Sequence, residues 1–386
     1  MATVASSLPR FDEDRPQPRP DLVVLLTMLA LSAFGVLMIY TASRHRLGLE
    51  GIDPASTMKK QLLFVAVGLI VYLVASYVDY REYRHYASYV FLGMVITLVA
   101  VLFAEPTQGA SRWIPIGPLQ FQPSEFAKVA IILVLAALLA PARSEGMTWQ
   151  RLGAAVAITT IPALLIVRQP DLGTMLVFAF IVVVMLFAGG ATFRQLIALG
   201  SAAGVFIILV VRLGLLERYQ VLRLSSFLNP EADALGAGYN LLQSETAIGS
   251  GRIFGNGLFN GTQTNLSYVP SQSTDFIFTA VGEQLGFIGG ILVLAAFAVV
   301  LWRVFRAAVA SRDRYGALVC VGVGAMLMFH VFINVGMTVR IMPVTGLPLP
   351  LMSAGGSFYL TIAFALGVVN SVWMRRSPVP GETYIL

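Results

Sequence analysis

Ten runs of mainly apolar residues, over 22–41, 61–78, 87–104, 125–140, 152–167, 172–188, 193–211, 276–301, 316–339 and 357–374, are separated by polar or basic stretches. About 20 apolar residues carry a helix across the hydrocarbon core of a bilayer. The pattern therefore predicts an all-α polytopic integral membrane protein with about ten transmembrane helices. An even number of spans puts both termini on one side. Residues 1–21 are polar and broken by Pro9, Pro16, Pro18 and Pro20, which predicts a disordered cytoplasmic tail. No small-residue cleavage pattern follows the first apolar run, so that run is expected to stay as a helix. Residues 22–374 then form a single ten-helix membrane domain, and 375–386 a second cytoplasmic tail.

Basic residues in the short loops orient the bundle. With the N-terminus inside, Arg81, Arg84, Arg143, Arg151, Arg194, Arg303, Arg306, Arg312, Arg314, Arg375 and Arg376 fall on the cytoplasmic side, and fewer cations fall outside. The outer side then receives the long connections: 105–124, a large extracytoplasmic loop over 213–275 between the seventh and eighth helices, and 340–356. The last, before the tenth helix, is too rich in Pro and Gly for a helix and too apolar for a solvated loop. Non-helical backbone at membrane depth must be buried in protein or line a cavity, so this segment reads as re-entrant. Function is expected at the outer face or in a cavity opening outward.

Composition sharpens this picture. Only 12% of residues are charged and 57% are hydrophobic, against about a quarter charged in soluble domains. The net charge of +6 is small and scattered, which excludes a nucleic-acid stripe. One cysteine, Cys320, and three histidines, His45, His85 and His330, build no disulfide framework, zinc site or iron–sulfur centre. Catalysis must rest on carboxylates, cations and hydroxyls, with no organic cofactor.

Ionisable groups inside an apolar span are functional candidates. Glu125 and Lys128 share a helix face at the start of the fourth run. They form either an internal ion pair or an ammonium, held by Glu125, that meets an anion in an outward cavity. Arg168 and Asp171 flank a tight outer turn, where Asp171 caps the next helix or helps bind a diphosphate or its metal. Ser273, Thr274 and Asp275 sit where the long loop enters the eighth run. Residue type alone favours a cap there, with a general base at the membrane surface as the competing reading. Glu283, about two turns deeper, is expected to pair within the bundle, and His330 and Cys320 to serve packing.

Several ordered motifs together resemble the SEDS family (shape, elongation, division and sporulation). They are Gly109-Ala110-Ser111-Arg112-Trp113-Ile114, Gln122-Pro123-Ser124-Glu125-Phe126-Ala127-Lys128, Gln169-Pro170-Asp171-Leu172-Gly173-Thr174, Thr274-Asp275-Phe276-Ile277-Phe278 and the segment from Pro343 to Ser357. Phe227-Leu228-Asn229-Pro230, Gly236-Ala237-Gly238-Tyr239 and Gly261-Thr262-Gln263 are more similar to its RodA, or elongation, branch than to its FtsW, or division, branch. The resemblance implies a peptidoglycan glycosyltransferase that polymerises lipid II outside the cytoplasmic membrane during cell elongation and shape maintenance. Its implied partners are a class B penicillin-binding protein, lipid II and undecaprenyl lipids, and other elongation-complex membrane proteins. Asp275 matches the family's essential aspartate and would be the base. Arg112, Lys128, Arg168, Arg223 and Ser353 would bind the leaving diphosphate. Glu125, Asp171, Thr274 and Glu283 would support them, and a divalent cation, Mg or Mn, would sit at Asp275 or Asp171.

The chain departs from the pattern at Ser273, where the family often has histidine, at Ala354, where it has an aromatic, and at Arg340, where it generally has no charge. The competing readings are a lipid II flippase, which predicts charged positions on both leaflets, an FtsW-like division polymerase, and a scaffold for a single-pass partner.

Overall fold

The computed structural model describes residues 19–104, 112–116, 119–141, 146–169, 171–213 and 236–376. The tail 1–18, the tail from 377 onward and Arg223 lie outside the described residues. Each of the ten apolar runs falls largely within a helix. These are α1 (Leu22–Leu49), α2 (Ser56–Tyr77), α4 (Ala87–Val101), α5 (Pro123–Leu139), α6 (Trp149–Arg168), α7 (Leu172–Ala188), α8 (Phe193–Arg212), α11 (Ile277–Ala310), α12 (Arg314–Thr338) and α13 (Gly356–Met374). Among the described residues, seven are long and apolar enough to cross a membrane, while α4 and α7 are shorter apolar helices. At 17 residues α5 is also short, and it begins with a buried ion pair.

Further elements interrupt the connections. A short α3 (Tyr80–His85) precedes α4, and β1 (Ile114–Ile116) pairs antiparallel with β2 (Leu119–Phe121) just before α5. Within the stretch read as a long outer loop stand α9 (Ala237–Gly251) and the single turn α10 (Thr262–Asn265). That stretch is therefore partly helical, with its polar backbone satisfied locally.

The centre of the bundle is α5, α12 and α13, whose side chains are buried on nearly every face. By contrast α8 buries little beyond Gln195 and presents Ile197, Val205, Phe206, Ile207 and Ile208 outward. Exposed apolar surface of this kind is what lipid tails cover.

At the end where α1 begins and α13 finishes, polar side chains tie the helices together. Asp21 caps α1 by accepting from the N–H of Val23 (3.0 Å) and Val24 (3.2 Å), and it pairs with Arg303 of α11 at 2.7 Å. Asp313 caps α12 through the Gly316 N–H at 2.8 Å, accepts from the Tyr80 hydroxyl at 2.7 Å and meets Arg81 at 3.3 Å.

The opposite end carries the β-pair, α9, α10 and the Pro/Gly segment. Here α11 is broken at Gly286, where φ is 66° and ψ is −161°, a conformation essentially confined to glycine. The loop backbone fills the break. Phe287 and Ile288 donate to the carbonyls of Arg252 (2.9 Å) and Ile253 (3.1 Å), and Asn256 and Gly257 donate to those of Glu283 and Gln284, both at 3.0 Å. The groups that a kink strands are thus paired again by chain about thirty residues away.

Candidate functional site

The Pro/Gly segment from Ile341 to Gly355 is non-helical, and Leu347, Leu349, Leu351, Met352 and Ser353 are buried in it. It joins two groups of candidate residues. The first is the turn before α11. Ser271, with φ at 51°, turns its carbonyl to accept from the N–H of Thr274 (3.1 Å), Asp275 (3.1 Å) and Phe276 (3.4 Å). Phe276 takes the cap position of α11 and no side chain caps it, so the cap reading of Ser273, Thr274 and Asp275 is corrected. The turn closes through its own backbone rather than through the Asp275 carboxylate.

The Pro/Gly segment clamps this turn residue by residue. The Ala354 N–H donates to the Ser273 carbonyl at 2.9 Å, and the Ser353 hydroxyl donates to the Thr274 carbonyl while accepting from the Leu349 N–H at 2.8 Å. Asn334 of α12 donates to the carbonyls of both Asp275 and Leu347 at 2.7 Å. With its backbone held this way, Asp275 is half-buried, and its Oδ2 lies 3.4 Å from where a Cβ on Gly346 would stand. Gly346 has φ at 74°, so a side chain there would be strained as well as crowded against the carboxylate.

The second group surrounds the start of α5. Glu125 and Lys128 form an ion pair at 2.6 Å, with Lys128 wholly enclosed. Its ammonium also reaches His330 Nε2 at 3.0 Å and lies 5.2 Å from the centre of the Phe358 ring. His330 Nδ1 is 3.2 Å from the Pro348 carbonyl. A carbonyl only accepts, so Nδ1 carries the proton and Nε2 accepts from Lys128. Lys128 therefore does not face an open surface where a diphosphate could touch it. His330, read from sequence as packing, is instead the link between this cation and the Pro/Gly segment.

Asp171 caps α7 through the N–H (3.1 Å) and hydroxyl (2.9 Å) of Thr174, and it also accepts from the Gln122 side chain at 3.4 Å. Arg112 donates to the Gln169 carbonyl at 2.7 Å, and the Gln169 side chain donates to the Leu98 carbonyl at 3.2 Å. Arg112, Asp171, Glu125 and Lys128 thus belong to one neighbourhood, while Arg168 is exposed at the end of α6. The Asp171 turn also packs on the Pro/Gly segment, since a Cβ on Gly173 would stand 2.9 Å from the Thr345 carbonyl oxygen.

Consecutive residues Thr345 to Pro348 therefore meet Gly173, Asp275, Asn334 and His330 in turn. Asn334 went unnoticed in the sequence, although a lone amide one helical turn after His330 in an apolar helix was a usable signal. Glu283 lies apart from both groups, buried beneath α10. Among the described residues no three His, Cys, Asp or Glu side chains gather as a metal site.

The arrangement offers a half-buried carboxylate on a rigid turn, joined through the Pro/Gly segment to a buried ion pair and the turn that holds an arginine. That combination suits proton abstraction next to an anionic group. Comparison with known proteins gives a consistent answer. The family model described as cell cycle protein, covering FtsW, RodA and SpoVE, matches residues 21–377. Peptidoglycan glycosyltransferase MrdB of Escherichia coli is 35% identical, over 92% of this chain and 94% of its own. Stage V sporulation protein E of Bacillus subtilis is 37% identical, over 92% and 96%. Relatives named FtsW and RodA match over comparable spans. A solved peptidoglycan synthase complex, described as coordinating polymerization and crosslinking, contains a chain with a TM-score of 0.78 and 29% identity, covering 93% of this chain and 99% of that one.

Proposed function

The chain belongs to the FtsW, RodA and SpoVE family of cell cycle proteins and is a peptidoglycan glycosyltransferase; from that premise we propose that it polymerises lipid II, with Asp275 as the base. The observation that carries this reading is the placement of Asp275. It stands half-buried on a turn clamped by Ser353, Ala354 and Asn334, with Gly346 leaving room beside its carboxylate. In the reaction, the 4-hydroxyl of an acceptor sugar attacks the anomeric carbon of a lipid-linked donor. The carbon–oxygen bond to the diphosphate breaks with inversion, and undecaprenyl diphosphate leaves with the bonding pair. Asp275 takes the proton from the attacking hydroxyl, which makes the oxygen nucleophilic as the bond forms.

The leaving diphosphate develops charge, and fixed cations stabilise it best. Arg112, partly exposed beside the Asp171 turn, and Arg168 are the contacts this reading assigns. Enclosed Lys128 acts through space and by holding the Pro/Gly segment through His330. A magnesium or manganese ion fits only as a companion of the substrate's phosphates, because Mg²⁺ commonly uses one or two carboxylates plus phosphate oxygens. Asp275 or Asp171 would supply the carboxylate, and the ion would neutralise phosphate charge.

Within the family we assign the chain to the RodA branch, working in elongation beside a class B penicillin-binding protein, on the strength of the motifs at 227–230, 236–239 and 261–263. Polymerisation of labelled lipid II by the purified protein tests the chemistry. Asp275→Ala and Asp275→Asn are expected to form no glycan strands while remaining folded. Wild-type rates from either variant would remove Asp275 as the base, and transfer of lipid II between leaflets without polymer would favour a flippase instead.

A further inference from the structure

Glu283 lies on α11 eight residues past Asp275, is fully buried, and pairs with no cation among the described residues. A buried carboxylate needs donors, and α10 provides them. One oxygen accepts from the Gln263 N–H at 2.7 Å, and the other from the Thr264 N–H at 2.9 Å and the Thr264 hydroxyl at 2.6 Å. Gly261 allows the approach, since a Cβ there would come within 2.7 Å of Oε2.

The bonds continue through the Gln272 amide, which donates to both sides. With its proton given to Glu283, the Thr264 hydroxyl accepts from the Gln272 amide at 2.9 Å. The second N–H of that amide goes to the Thr279 hydroxyl at 3.0 Å, which donates to the Phe276 carbonyl at 2.7 Å. Thr264, Gln272 and Thr279 are all buried. The Glu283 carboxylate and the Phe276 carbonyl only accept and the Gln272 amide between them only donates, so each hydroxyl has one fixed role toward each neighbour. It begins in the α11 core and ends on the turn that presents Asp275, bracketing that turn at Gln272 and Phe276.

We infer that Glu283, Thr264, Gln272 and Thr279 form a buried positioning chain that sets the orientation of Asp275, a role that rests on the reading of Asp275 as the base. None of the four needs to touch substrate. Their effect is on where the Asp275 carboxylate stands when the acceptor hydroxyl arrives, and misplacement of a reacting group by about 1 Å can cost on the order of a hundredfold in rate.

The test uses the full-length protein and compares Thr264→Val, which keeps the shape and removes the hydroxyl, with Thr264→Ser, which keeps the hydroxyl, and with Glu283→Gln. Two readouts are taken: polymerisation kcat and KM, and hydrogen exchange at the amides of Thr274, Asp275 and Phe276. Thr264→Val and Glu283→Gln are expected to lower kcat at least about tenfold with KM within about twofold, and to speed exchange at the turn by at least about tenfold. Thr264→Ser should recover most of both. Equal behaviour of the Val and Ser variants, or unchanged exchange at the turn, would overturn the chain. If the wild type proves unable to polymerise lipid II, the base reading falls, while the exchange measurement still decides whether the chain orders the turn.

Discussion

A lysine with no exposed surface in an apolar bundle is held there by its partners. Lys128 has Glu125 at 2.6 Å and His330 at 3.0 Å, and removal of one member leaves another buried and unpaired. Lys128→Met is therefore expected to lower stability by about 3–5 kcal/mol, the usual result of stranding a buried charge. Glu125→Gln should cost less, because His330 still receives the ammonium. The double variant should be more stable than Lys128→Met alone, and thermal unfolding in detergent across the four proteins yields the coupling directly. Unfolding of Lys128→Met at the wild-type temperature would show that the pair contributes nothing. The spacing of Glu125 and Lys128 made their pairing legible in the sequence, because neighbours three apart share a helix face. The role of His330 was not legible, since its partners are 202 residues earlier at Lys128 and across a non-helical segment at Pro348. Asp275 stood out by motif, whereas its release from capping became visible only with the Ser271 turn.

At the level of elements, the apolar runs marked the helices well, because burial in lipid or protein selects for continuous apolar sequence. The break in α11 escaped that reading. Gly286 lies in a run containing other glycines, Gly282, Gly289 and Gly290, and nothing local singles it out. What sustains the break is pairing with the backbone of residues 252–257, a non-local interaction that hydropathy does not register. A Cβ on Gly286 would overlap the Gly255 amide and the Ile253 carbonyl. Its φ and ψ also lie in a region that costs other residues about 1–3 kcal/mol from backbone strain alone. Gly286→Ala should therefore release the 252–265 loop from α11, seen as faster proteolysis within that loop while the helices remain protected. A loop as resistant as in the wild type would show that the break is not what seats it. The glycines of the large loop over 213–275 are expected to let it fold back onto the bundle, and among its described residues α9, α10 and the backbone of 252–257 do pack against α11.

Across the whole molecule, the two ends are built for different tasks. The Pro/Gly end gathers the candidate site, while the end where α1 begins and α13 finishes is locked by capped helices and ion pairs. Asp313 shows how the latter responds to pH. Burial pushes its pKa up, but the Gly316 N–H, the Tyr80 hydroxyl and Arg81 together hold it below the ordinary carboxylate value. Tyr80 is shifted the other way, up to about 12, by burial and then by its bond to Asp313. The signs follow from linkage. A depressed carboxylate contributes stability above its unfolded pKa, near 3.9, and loses it as pH falls through the lower folded value. A raised phenol contributes stability that is complete below its unfolded pKa, near 10, and is lost as pH rises through about 12. Stability from this lock is thus level between these limits and falls on both sides. Tyr80→Phe should shrink the alkaline fall, because this phenol no longer ionises while its stacked neighbour Tyr315 remains. It should also move the acid fall to higher pH, because Asp313 loses one of the donors that hold its pKa down. Unfolding followed by tryptophan fluorescence across pH 3 to 12 would check both limbs, and an alkaline fall of wild-type size in Tyr80→Phe would place its origin elsewhere in the bundle.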